Sequence, residues 1–112
     1  MCDGHVATIV GTDGPDIIIG TNGDDVIVAK GGNDIIIALG GNDIICAGDG
    51  DDLVVAGSGN DRIFGEGGND HLIGNHGDDY IDGGPGFDIC IGGSGSNNVE
   101  NCEWPPKGKL GS

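Results

Sequence analysis

Basic side chains are scarce in this chain. Four Lys or Arg stand against 19 Asp or Glu, giving a formal net charge of −15. A surface of that sign repels phosphate backbones and anionic lipid, which argues against nucleic acid or an anionic membrane as partner. No apolar run approaches the ~20 residues that cross a bilayer, so no membrane span is expected. Met1 is not followed by the charged and apolar regions of a signal peptide. The chain is therefore expected to be either cytosolic or a mature segment with a start codon added. Four cysteines in 112 residues favour the second reading, because an even count in a small, thin-cored chain suggests disulfides and an oxidising compartment. The length fits one domain.

The equipment of an enzyme is also missing. His5, His71 and His76 form no cluster. A stray transition-metal site at His76 with Asp78 or Asp79 is the only arrangement that could use one. Ser58, Ser94 and Ser96 lie in turns without the strand, elbow and helix of a hydrolase nucleophile. No helix follows any glycine run, so no phosphate loop is formed. The DxDxDG loop of an EF-hand is absent too. The reading is of a protein that is not an enzyme.

What the chain does have is a period. From Gly11 to Glu100 the sequence divides without a slip into ten nonapeptides: GTDGPDIII, GTNGDDVIV, AKGGNDIII, ALGGNDIIC, AGDGDDLVV, AGSGNDRIF, GEGGNDHLI, GNHGDDYID, GGPGFDICI and GGSGSNNVE. Position 1 is Gly or Ala, and position 4 is Gly in all ten. Position 6 is Asp from Asp16 to Asp88 and Asn97 in the last unit. Position 8 is aliphatic except at Cys90. Residues 2–10 fit the frame weakly, with Ile9 at position 8. A fixed period marks a repeat architecture and overrides local propensity.

One unit explains itself. The β-branched and aliphatic residues at positions 7–9 form a short strand that sends position 8 to one face and positions 7 and 9 to the other. Positions 1–6 must turn, and Gly at position 4 allows a positive φ. Nine residues cannot bury their own apolar face, so copies must stack. Two units make one flattened coil. Odd units then build one parallel sheet and even units another, with Ile9, Ile18, Ile27, Ile36, Ile45, Val54, Ile63, Leu72, Ile81, Cys90 and Val99 between them. The expected fold is all-β: a two-sheet parallel β-solenoid of about ten repeats with caps. Residues 1–10 form an N-terminal cap and first half-coil, 11–100 the roll, and 101–112 a C-terminal cap and tail.

Stacking puts Asp16, Asp34, Asp52, Asp70 and Asp88 in one column and Asp25, Asp43, Asp61 and Asp79 in another. Neighbouring carboxylates one strand spacing apart, ~4.8 Å, repel unless neutralised. Carboxylates with turn carbonyls, and no regular His or thiolate, make a hard-oxygen cage. Such a cage favours Ca²⁺ over Mg²⁺, which demands strict octahedral geometry and keeps its waters.

The stretches GGNDIII, GGNDIIC, GSGNDRIF, GEGGNDHLI and GGPGFDICI resemble the RTX (repeats-in-toxin, haemolysin-type) calcium-binding nonapeptide G-G-x-G-x-D-x-U-x. The likeness spans residues 11–100. It implies a parallel β-roll in which turn carbonyls, here those of Gly32, Gly41, Gly50, Gly59, Gly68 and Gly77, join the position-6 Asp of two stacked turns around each Ca²⁺. The pairs carried over are Asp16/Asp34, Asp34/Asp52, Asp52/Asp70, Asp70/Asp88, Asp25/Asp43, Asp43/Asp61 and Asp61/Asp79. Asp79/Asn97 would be a weaker eighth, so seven or eight ions are expected. Seven divalent ions carry about +14, which offsets the chain's surplus of −15. The resemblance further implies a secreted bacterial protein whose roll folds when calcium binds.

Two departures from that pattern matter. The family's strand flanks are usually polar, whereas the odd units place Ile17, Ile19, Ile35, Ile37, Leu53, Val55, Ile73, Ile89 and Ile91 there, with His71 the polar exception. The even units begin apolar at Val26, Val28 and Ile44 but turn mixed at Arg62, Phe64, Tyr80 and Asp82. A flat apolar outer face is a candidate interface, most simply of a homodimer, otherwise for a partner protein or an ordered surface such as ice. The Thr-rich ladders of many ice binders are missing. The other departure is at the ends. Trp104 with Pro105 and Pro106 suits a cap over the last coil, and GKLGS reads as a disordered tail. A short return over that coil favours a Cys90–Cys102 disulfide. An N-terminal arm over Val26, Val28 and Ile44 would join Cys2 to Cys46. Free thiols in a reducing compartment are the alternative.

Overall fold

A computed structural model describes residues 2–103. The proposed Trp104–Pro105–Pro106 cap and the GKLGS tail lie outside the described residues. Eleven strands alternate with turns: β1 (Ile9–Val10), β2 (Ile17–Ile19), β3 (Val26–Val28), β4 (Ile35–Ile37), β5 (Ile44–Cys46), β6 (Leu53–Val55), β7 (Arg62–Phe64), β8 (His71–Ile73), β9 (Tyr80–Asp82), β10 (Ile89–Ile91) and β11 (Asn98–Glu100). From β2 onward each strand occupies positions 7–9 of its unit, as the aliphatic triplets dictate. No described segment is helical.

The strands sort by parity. β1, β3, β5, β7, β9 and β11 form one parallel sheet in that order, and β2, β4, β6, β8 and β10 form the other. The register is one full coil, with Ile27 opposite Ile45 and Ile36 opposite Val54. The ladder runs on past the strand ends. The Ile35 N–H donates to the Asp16 carbonyl at 2.9 Å, and the Ala29 N–H donates to the Cys46 carbonyl at 3.0 Å. The half-coil of residues 2–10 joins the roll through β1, where Ile9 pairs with Ile27.

Between the sheets, position 8 from Ile18 to Cys90 forms one buried file, flanked by Ala29, Ala38, Ala47 and Ala56 at position 1. Position 1 has to be small because it sits inside the coil. Both disulfides are formed, Cys2–Cys46 and Cys90–Cys102. The first pins the N-terminal arm across the outer face of the even sheet, where Cys2 is buried. There Asp3 also pairs with Arg62 at 3.0 Å, and the Arg62 guanidinium lies over the rings of Phe64 and Tyr80. The odd sheet has no such cover among the described residues. Ile17, Ile19, Ile35, Leu53 and Ile91 stand exposed on it, while Ile37, Val55, Ile73 and Ile89 are half-buried.

Candidate metal centre

The turn before each strand sets the site. In units three to ten, positions 2 and 4 both take positive φ, for example Gly48 at 82° and Gly50 at 108°. Position 4 demands glycine twice over. Besides its φ, a Cβ on Gly50 would collide with the Gly32 carbonyl oxygen of the coil above. Position 2 is laxer. Lys30, Leu39, Glu66 and Asn75 hold φ between 64° and 70°, a conformation that costs a side chain ~1–2 kcal/mol.

This winding turns the position-6 carboxylates inward. Asp34, Asp43, Asp52, Asp61, Asp70, Asp79 and Asp88 are at most 2% exposed, Asp25 is 6% exposed and Asp16 is half-buried. All nine are thus gathered in the two expected columns, but their oxygens have divided roles. One oxygen of each lower carboxylate, Oδ1, accepts the N–H of the Asp one coil above. Asp16 donates to Asp34 at 2.8 Å, Asp34 to Asp52 at 2.7 Å, Asp25 to Asp43 at 2.7 Å and Asp43 to Asp61 at 2.7 Å. The other oxygen, Oδ2, is buried without any hydrogen-bond partner in seven residues, from Asp34 through Asp88.

Such a group is costly. Burial pushes the carboxyl groups up, to about 6 for Asp43, about 7 for Asp52, and about 8 for both Asp61 and Asp70. The ladder N–H pulls the other way, and the charge of the stacked Asp one coil away adds to the rise. Asp34, Asp79 and Asp88 are raised for the same first cause, burial. A fixed cation beside Oδ2 removes the difficulty at neutral pH. The residues present therefore fit a hard divalent ion: anionic oxygen without a donor, beside turn carbonyls. Among the described residues no group of three or more His, Cys, Asp or Glu gathers around one point. Turn carbonyls would have to complete the coordination of any ion held there.

The last unit supplies an internal control. Asn97 has the same placement, and its Oδ1 accepts the Asp79 N–H at 2.9 Å. Its amide NH₂ replaces Oδ2 and donates to the carbonyl of Gly93 at 3.1 Å, with Gly95 at 3.5 Å. The space beside Oδ2 thus faces the carbonyls of positions 2 and 4, and something electropositive belongs there.

Three features escaped the sequence pattern. Glu103 continues the odd column past its last Asp, its Oε1 accepting the Asp88 N–H at 2.7 Å while its own N–H donates to the Asp88 carbonyl at 3.0 Å. Position 5 carries outer ladders, in which Asn33 accepts the Asp51 N–H, Asp51 the Asn69 N–H and Asn42 the Asn60 N–H. The run of Asn or Asp at position 5 from Asp24 to Asp78 was the available signal. The third is a pair of threonines, Thr12 and Thr21, treated below. His76 donates to or accepts from Ser94 at 2.8 Å through Nδ1, and among the described residues it belongs to no cluster of metal-ligating side chains.

A family model for the RTX calcium-binding nonapeptide repeat matches the chain in four copies, over residues 7–36, 19–54, 55–90 and 72–99. The copies together span most of the chain, and it belongs to that family. Its units are calcium-binding repeats wound into a β-roll. No curated protein and no solved structure matches the chain significantly.

Proposed function

We propose that the chain is a secreted, non-enzymatic module whose roll folds as it takes up calcium. The observation that carries this reading is the set of seven buried Oδ2 atoms with no partner. Leaving one such group unsatisfied costs ~1–3 kcal/mol, and more when it is charged. Seven together cost on the order of 10 kcal/mol or more, comparable with the whole stability of a small domain. Calcium bound to sites that the unfolded chain lacks returns that free energy on folding. The proposed ligands are Oδ2 of Asp34, Asp43, Asp52, Asp61, Asp70, Asp79 and Asp88 with turn carbonyls such as those of Gly32, Gly41, Gly50, Gly59, Gly68 and Gly77, for about seven ions. Two disulfides support an oxidising, extracellular setting. Calorimetric titration of the chelated chain tests the reading. It predicts several Ca²⁺ bound per chain and far weaker heat from Mg²⁺. No calcium heat at all would overturn it.

A second reading is favoured by the contrast between the two outer faces. The even face is occupied by the disulfide-bound arm and the Arg62 stack, while the odd face leaves five large aliphatic side chains exposed. We infer a homodimer through β2, β4, β6, β8 and β10, because one apolar face gives a closed pair rather than open-ended growth. Ile35→Lys with Leu53→Lys should give a monomer by light scattering in saturating Ca²⁺, with calcium binding intact. A parent chain already monomeric at high micromolar concentration would rule self-association out.

A further inference from the structure

The division of roles between the two carboxylate oxygens breaks down at both ends of the roll. In the first two units Oδ2 is not orphaned. The Thr12 N–H donates to the Asp16 Oδ2 at 2.7 Å. The Thr12 hydroxyl lies 2.9 and 3.1 Å from the two oxygens of Asp16 and 3.4 Å from the Gly14 carbonyl, and it accepts the Gly14 N–H at 3.2 Å. Thr21 repeats the pattern, with its N–H 2.8 Å from the Asp25 Oδ2, its hydroxyl 3.0 and 3.1 Å from the carboxylate, and the Gly23 N–H at 3.1 Å. A hydroxyl thus sits in the middle of each turn against the carboxylate that an ion would use, and that of Thr12 also lies near the Gly14 carbonyl.

The backbone agrees. Thr12, Gly14, Thr21 and Gly23 are not among the residues of positive φ, whereas positions 2 and 4 of all eight later units are. The first two turns are wound differently, so their carbonyls are not set as those of the calcium-type turns are. At the far end the turn is wound in the calcium manner, but Asn97 offers its amide donor to the Gly93 and Gly95 carbonyls. A cation placed there would face N–H groups instead of an oxygen anion.

We propose that the terminal turns are metal-independent: the hydroxyls of Thr12 and Thr21 and the amide of Asn97 replace calcium at the two ends, so that the ion columns run only from Asp34 and Asp43 to Asp88 and Asp79. The inference rests on the reading that Oδ2 binds calcium. Against the expectation from the sequence, it leaves Asp16 and Asp25 out of the ligands and makes the Asp79/Asn97 step a closed turn rather than a weak eighth site. The physical sense lies in coordination. In these turns a hydroxyl or amide donor already holds the place an ion would take, and it closes the turn whatever the calcium level.

Counting calcium ions on the intact, disulfide-bonded chain by native mass spectrometry is the test, with circular dichroism in saturating Ca²⁺ to verify the roll. Asn97→Asp exchanges the amide donor for an oxygen anion and should bind one more Ca²⁺ than the parent. Asp25→Asn should bind as many as the parent, whereas Asp43→Asn should bind at least one fewer. An unchanged count for a folded Asn97→Asp, or a lowered count for Asp25→Asn, would overturn the inference while leaving the calcium reading in place. A parent chain that binds no Ca²⁺ would bring down the calcium reading itself, and the inference with it.

Discussion

A single glycine position shows how tightly the turns are specified. Gly50 has φ 108° and no room for a Cβ against the Gly32 carbonyl, so Gly50→Ala should cost several kcal/mol, above the ~1–2 kcal/mol of the backbone conformation alone. Leu39, at position 2 with φ 70° and 40% exposed, invites the reverse. Leu39→Gly should raise the thermal midpoint of the calcium-loaded chain by a few degrees, because the relieved strain of ~1–2 kcal/mol exceeds the ~0.5–1 kcal/mol entropic cost of glycine. Asp52 separates the two oxygens of the site. In Asp52→Asn the ladder bond to the Asp34 N–H survives, and the new amide can serve the turn carbonyls as Asn97 does. That variant should bind less calcium yet be more stable than the parent in chelator, by ~1–3 kcal/mol. Asp52→Ala loses both oxygens and should be less stable in either condition. Paired denaturant titrations with and without calcium distinguish these outcomes.

The strands depend on what closes the stack at each end. β10 is followed by a chain return in which Cys102 bonds Cys90 and Glu103 takes the Asp88 N–H. Removing that disulfide, which spans 12 residues, frees a short loop worth ~3 kcal/mol by chain entropy. In a Cys90→Ala, Cys102→Ala variant the Asp88 N–H should lose its protection from hydrogen exchange while the Asp34 N–H, three coils away in the same column, keeps its own. Equal loss at both would mean that the roll opens as one unit. The strand pattern itself was legible in the sequence. Every triplet from Ile17 to Glu100 became a strand in the expected register, because an 18-residue coil leaves no other way to bury position 8. The disulfide pairs found here are the favoured ones, because a short return over the last coil and an arm over the even face bring those cysteines together, with free thiols as the alternative. The end groups were not legible. Glu103 lies outside the period, and the role of Thr12 and Thr21 depends on a turn conformation that the shared Gly at position 4 conceals. Position 5 reads as a free position in the repeat, and its ladder appears only when coils are laid one upon another.

Across the whole molecule, a charge surplus of −15 and two columns of buried acids make stability depend on the solvent. Without calcium, protons are the remaining neutralising species. Asp43, Asp52, Asp61 and Asp70 titrate in the roll between about 6 and about 8, against ~3.9 in an unfolded chain. The folded state therefore holds more protons between pH ~4 and ~8, and its stability falls as pH rises through that window. In chelator, lowering pH from 8 to 5 should promote folding. In calcium the dependence should reverse, because ligands must be deprotonated and protons compete for the same oxygens. Melting curves across that range, with and without calcium, carry both signs.

The central claim is that metal is part of the fold, and far-ultraviolet circular dichroism of the reduced chain tests it most directly, since reduction removes the cross-links that could hold residual structure. In chelator the spectrum should be that of a largely unfolded chain, and added Ca²⁺ should restore the β signal cooperatively together with a melting transition. A β-rich spectrum and a melting temperature unchanged by exhaustive chelation at neutral pH would contradict the account.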